Sequence, residues 1–132
     1  MDRWSFRASG GRVALTESIG GLPTVMLTTR GARSGLERTV PLLAVPSGDD
    51  LAVLGTNWGG GSSPAWVHNL TANPVAVVEY REARVDVRAE RLEGAAAEEV
   101  WRRAVDLYAG YAEYPRRAGT RLITVWRLVP AG

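Results

Sequence analysis

Residues 24–45 read TVMLTTRGARSGLERTVPLLAV, and the fold turns on how this stretch is read. "TVMLTTR" is short and rich in β-branched residues, which favours a strand over a helix. "ERTVPLLAV" reads as its antiparallel partner, with Pro41 marking an edge or a bulge, because proline cannot donate to a ladder. Between them "RGARSG" (30–35) crowds two arginines, a serine and two glycines into a turn. That turn is either an ordinary solvated hairpin or a loop that holds an anion.

Working outward, "SGDD" (47–50) is a turn and "LAVLGT" (51–56) a third, buried strand. "NWGGGSSPAWVHNLTANP" (57–74) begins as a glycine-rich loop. It then offers a helix start, with Ser63 as capping hydroxyl and Pro64 at the first helical position. Trp66 and Leu70 lie four apart on one face, and Asn73 with Pro74 closes the helix. "VAVVEYREARVDVRAERL" (75–92) predicts two strands around Arg81–Ala83, with Val85, Val87 and Ala89 on one face and Asp86, Arg88 and Glu90 on the other. From Gly94 the period becomes helical: Ala97, Val100, Ala104 and Tyr108 form a stripe widened by Trp101 and Val105, and Pro115 forces an end near Tyr114. "RLITVWRLV" (121–129) is a last strand. Helices do not alternate with every strand, so a doubly wound parallel sheet does not fit. The order predicts a mainly β (α+β) fold: an antiparallel barrel of six strands or so with flanking helices. Residues 1–22 form a poorly defined N-terminal segment of this single domain spanning 1–132.

The chain of 132 residues carries 45% hydrophobic and 23% charged residues, the balance of a soluble globular protein. It holds no cysteine, which excludes disulfides and thiolate metal sites. No apolar run reaches the length that spans a bilayer, and the start lacks a signal-peptide core. A cytoplasmic location without stable membrane insertion is expected. All 16 basic residues are arginine, so every cationic contact is a planar, permanently charged fork suited to phosphate and carboxylate. A net charge of only +2 argues against general nucleic-acid binding, while a local cluster can still serve an anionic small molecule.

Three stretches carry candidate chemistry. In the first turn, Arg30, Arg33, Ser34 and Arg38 surround amides that Gly31 and Gly35 leave accessible, and such concavities bind phosphate. The glycines of 59–61 precede a helix N-terminus, where amides can face a ligand; a plain connector fits as well. Tyr108, Tyr111 and Tyr114, three apart, share one broad helical face that either lines an aromatic pocket or packs on the core. His68, the single histidine, has no partners for a metal site and reads as a helix-surface or hydrogen-bonded structural residue. Neither a "GxSxG" elbow nor a "GxGxxG" fingerprint occurs.

Taken in order, "TTRGARSGLERTVPL", "GTNWGGGSSPAWVHNLTANP" and the tyrosines before a terminal strand resemble the deazaflavin-dependent nitroreductases and quinone reductases. These are split β-barrel, FMN-binding-like oxidoreductases that use coenzyme F-420. The resemblance runs from about Pro23 to Val129. It implies that Arg33, Ser34, Gly35, Arg38 and Pro41 bind the coenzyme's phosphate and acidic tail. Ala32 departs from the family pattern, where a second basic residue is common. It implies that Thr56, Asn57, Trp58, Gly59, Gly60 and Asn69 border the deazaflavin ring. Tyr108, Tyr111 and Tyr114 match acceptor-side tyrosines, and one of them, or the Thr56 hydroxyl, would serve the reduction of a quinone-like or nitroaromatic acceptor. The implied partner is this small molecule, with no metal, and a homodimer fits barrels of this type. Two other readings stand beside it: an FMN enzyme on the same barrel, and a non-catalytic carrier of deazaflavin or a hydrophobic ligand.

Overall fold

A computed structural model of the chain describes residues 24–48, 50–55, 64–80, 83–108, 117–118 and 121–131. The elements are β1 (Thr24–Arg30), β2 (Glu37–Leu43), β3 (Val45–Ser47), β4 (Asp50–Gly55), α1 (Ala65–Ala72), β5 (Val75–Tyr80), β6 (Ala83–Leu92), α2 (Gly94–Leu107), β7 (Arg117–Ala118), β8 (Arg121–Leu122) and β9 (Thr124–Pro130). Among the described residues seven strands form one sheet in the order β2-β1-β5-β6-β9-β4-β3, antiparallel at every junction. β7 and β8 pair separately.

The strand count accords with the six or so expected, and one strand is added because "ERTVPLLAV" does not stay with one partner. β2 pairs with β1 through Leu43, and after Ala44 the chain pairs with β4 instead. β2 and β3 therefore sit at opposite ends of the sheet order although one residue separates them in the chain. That covalent link forces the sheet to curl until its edges meet, giving a split barrel with Ala44 fully buried at the seam. Both edge strands carry a proline, Pro41 and Pro46, as expected where no further ladder is donated.

β4 is buried along its whole length because it separates two cores. Leu51 and Val53 face the barrel interior with Val25, Leu27, Val78, Val87, Trp126 and Leu128. Ala52 and Leu54 face outward under α2, against Ala97, Val100 and Ala104. The alternation of side chains along a strand places successive residues in different cores, and it explains why this segment reads as uniformly apolar. On β6 the same alternation buries Val87 and Ala89 and exposes Asp86, Arg88 and Glu90.

Three boundaries differ from expectation. α1 starts at Ala65, with Pro64 in the N-cap position at φ −59° and ψ 152° and no side-chain cap; Ser63 lies outside the described residues. α2 ends at Leu107, and Tyr108 is its C-cap in extended conformation. Tyr108 therefore lies outside the helix, and α2 ends well before Pro115; Tyr111 and Tyr114 lie outside the described residues. The last strand breaks at Ile123, which is buried beneath α2. Among the described residues no helix is long and apolar enough to cross a membrane.

Candidate functional site

The turn joining β1 to β2 is held by its own backbone. Gly31 N–H donates to Leu36 O (2.7 Å) and Gly35 N–H donates to Gly31 O (3.0 Å). Leu36 N–H donates to Ser34 Oγ (3.1 Å) and Arg30 Nη1 to Gly35 O (3.2 Å). Gly35 has φ +74°, the left-handed region that glycine enters without penalty. A Cβ on Gly31 would lie 2.6 Å from Ser34 Oγ, so a side chain there would break the turn's closure.

The amides of Gly31 and Gly35, expected to be accessible, are thus spent inside the turn. Ala32 N–H is also engaged, donating to Asn69 Oδ1 on α1 at 2.9 Å. The amides of Arg33 and Ser34 have no acceptor among the described residues. They are adjacent at the exposed tip. The Arg33 and Arg38 guanidiniums are exposed and form no ion pair among the described residues. Arg38 sits opposite Thr29 in the β1–β2 register and so shares the interior-side face at the barrel mouth. Residues 30–38 carry three arginines, Arg30, Arg33 and Arg38, and one carboxylate, Glu37; Glu37 shares its face of the hairpin with Arg30, and Arg38 lies on the other face. Arg33, Arg38 and the two tip amides thus leave this end of the hairpin rich in donors and positive charge, the kind of groups that an oxyanion takes.

Asn69 stands behind this tip rather than in it. Its side chain is 6% exposed, and Nδ2 donates to Thr29 Oγ1 at 2.9 Å; Thr29 is itself 2% exposed. Pro41 lies on the other face of β2, opposite Met26, about 13 Å along the strand from Glu37. Gly55 ends β4 against α1: a Cβ there would meet Val67 Cγ2 at 2.7 Å and Thr124 Oγ1 at 2.6 Å. The residues that follow it, Thr56, Asn57, Trp58, Gly59 and Gly60, lie outside the described residues, as do Tyr111 and Tyr114.

Tyr108 is not brought to the turn. Its hydroxyl donates to Ala44 O at 3.5 Å, beyond the opposite end of β2 and about 20 Å along that strand from Arg38. The ring packs on the core beneath α2, and burial raises the phenol above its ordinary value. His68 is exposed on α1, in keeping with a helix-surface residue. A cavity of about 210 Å³ lies at the far end of β4 from Gly55, lined among others by Ser47, Glu99, Arg103 and Arg127.

The structure thus unites Arg33, Ser34, Gly35, Arg38 and Asn69 and separates Pro41 and Tyr108 from them. Thr29 was not singled out from the sequence. The signal was available: strand alternation puts Thr29 on the buried face with Val25 and Leu27, and a buried hydroxyl requires a partner.

Residues 1–130 match the family model described as F420H(2)-dependent quinone reductase. The chain is 32% identical over 85 residues to the F420H(2)-dependent quinone reductase Rv1261c of Mycobacterium tuberculosis, a match spanning 64% of this chain and 56% of that protein's length. The solved structure of an F420-H2 dependent reductase, FDR-A, superposes with a TM-score of 0.70 at 36% identity, covering 84% of this chain and 99% of that one. A structure described as a domain-swapped dimer gives a TM-score of 0.70 at 35% identity, covering 85% and 84%.

Proposed function

The chain belongs to the F420H(2)-dependent quinone reductase family, oxidoreductases dependent on the deazaflavin coenzyme F-420, and from that premise we propose that it reduces a quinone-like or nitroaromatic acceptor with the coenzyme gripped at the 31–36 turn. The observation that carries the proposal is that, among the described residues, the amides of Arg33 and Ser34 have no acceptor and the guanidiniums of Arg33 and Arg38 no ion pair. This donor set fits a phosphate. Arg33 and Arg38 supply charge-assisted, bidentate bonds, the two amides supply fixed dipoles, and the Ser34 hydroxyl keeps a proton to donate while its oxygen accepts from Leu36.

When bound, the reduced deazaflavin supplies a hydride. The remaining tasks fall to the chain. Gly35 gives the turn its left-handed corner, directly after the two tip amides. Thr56, Asn57, Trp58, Gly59 and Gly60 border the ring, fed from the fixed end of β4 at Gly55. A hydroxyl from Thr56, Tyr111 or Tyr114 hydrogen-bonds the charge that develops on the acceptor and gives it a proton. Tyr108 anchors the segment that carries the other two tyrosines, through its bond to Ala44 O. Pro41 serves as an edge-strand residue. In this reading residues 1–132 act as one coenzyme-binding unit in the cytoplasm, and a homodimer accords with the domain-swapped neighbour.

The test is oxidation of reduced F-420 followed by absorbance with menadione and a nitroimidazole panel, beside fluorescence titrations with F-420 and FMN. Turnover with either acceptor class and binding of F-420 support the proposal. Binding of FMN with none of F-420 would replace it by the flavin reading. Binding of reduced F-420 that no acceptor oxidises would leave a carrier.

A further inference from the structure

We infer that Asn69 acts as the positioning residue that presets the anion-gripping turn, through a buried latch joining Thr29, Ala32 and α1, and does not itself contact the coenzyme. This rests on the reading of the turn given above. A carboxamide has distinct ends, and Ala32 N–H, an obligatory donor, forces Oδ1 toward the turn. Nδ2 is then directed at Thr29 Oγ1, whose near-complete burial leaves no water to compete. One side chain therefore ties the last part of β1, the entry of the turn and the helix that follows the glycine-rich segment. Because the Ala32 amide is consumed inward, the two amides after it are the ones left at the exposed tip. Fixing the turn before the ligand arrives removes an ordering cost from binding.

The latch makes Thr29 a remote determinant of affinity. It is 2% exposed and lies under the turn, so it has no access to a ligand at the tip. Asn69→Ala and Thr29→Val are each expected to raise the F-420 dissociation constant on the order of tenfold, about one hydrogen bond's share. The double variant should be no weaker than Asn69→Ala alone, since both break one device. Thr29→Ser keeps the hydroxyl and should restore affinity to within about twofold. The effect should fall on the coenzyme KM, with kcat at saturation retained.

The deciding experiment pairs these titrations with amide hydrogen exchange at Ala32 in the ligand-free protein. Protection in the wild type that is lost in Asn69→Ala, together with weakened F-420 binding in Thr29→Val, establishes the latch. Unchanged protection in Asn69→Ala overturns it. Loss of affinity in Asn69→Ala with wild-type affinity in Thr29→Val also overturns it, and makes Asn69 a direct ligand. If the wild type binds no F-420, the functional reading falls while the exchange measurement still decides the latch.

Discussion

Gly55 shows how one missing side chain fixes the site's geometry. It pairs with Thr124 across β4 and β9 and abuts Val67 on α1, so a methyl group meets two branched side chains held on separate elements. Gly55→Ala is expected to cost about 1–3 kcal/mol through overpacking, measured by urea unfolding. Tyr108 gives a residue-scale prediction in pH. Burial disfavours the phenolate, so the folded value lies above the unfolded value near 10. The unfolded chain loses this proton first. The stability Tyr108 contributes is therefore full below about pH 10 and is lost as pH rises through the folded value. Stability curves of wild type and Tyr108→Phe should run parallel below that pH and converge above it. A parallel course throughout would show that the phenol is not buried as described. At this scale the sequence was partly legible. Arg33, Ser34 and Gly35 mark the turn by type and spacing, and the glycine does take the left-handed corner. The choice of which amides remain free depends on Asn69, 37 positions away, and no local pattern encodes that.

Among the elements, α1 matters most, because it carries the latch and closes one mouth of the barrel. Trp66, Val67, Asn69 and Leu70 are its buried residues, a face that includes one polar group, held by its bonds to Ala32 N–H and Thr29 Oγ1. Leu70 is 1% exposed, and Leu70→Ala is expected to cost about 2–5 kcal/mol in thermal or urea unfolding. His68→Ala, two residues away on the exposed face, should stay within about 0.5 kcal/mol. Equal costs would mean that α1 is not packed as described. The faces of β6 and α2 follow from periodicity, and α1 from its flanking prolines with Trp66 and Leu70 four apart. The helix ends do not. α2 stops at Leu107 because Tyr108 turns extended and seats its ring against the core with its hydroxyl toward Ala44, a tertiary contact that overrides the helical stripe continuing past it.

For the whole molecule, the split barrel is a consequence of one residue at the seam. The chain leaves β2 at Leu43 and enters β3 at Val45 on the opposite edge of the sheet. The sequence showed a single strand here, since "LLAV" has no breaker, and the change of partner becomes visible only when both edges are placed. The closed sheet then sets the turn, α1 and the end of β4 around one mouth, with Tyr108 and the cavity near Arg127 toward the other end of these strands. The proposed function is read from one mouth, and the proposal makes the guanidinium of Arg33 its first contact. The most direct measurement is fluorescence titration of F-420 into the wild type and Arg33→Ala across a series of salt concentrations. The account predicts binding that Arg33→Ala weakens about tenfold at low salt, with a gap that narrows as salt screens the lost charge. Equal affinity of the two proteins at every salt concentration, or no binding by the wild type, would contradict it.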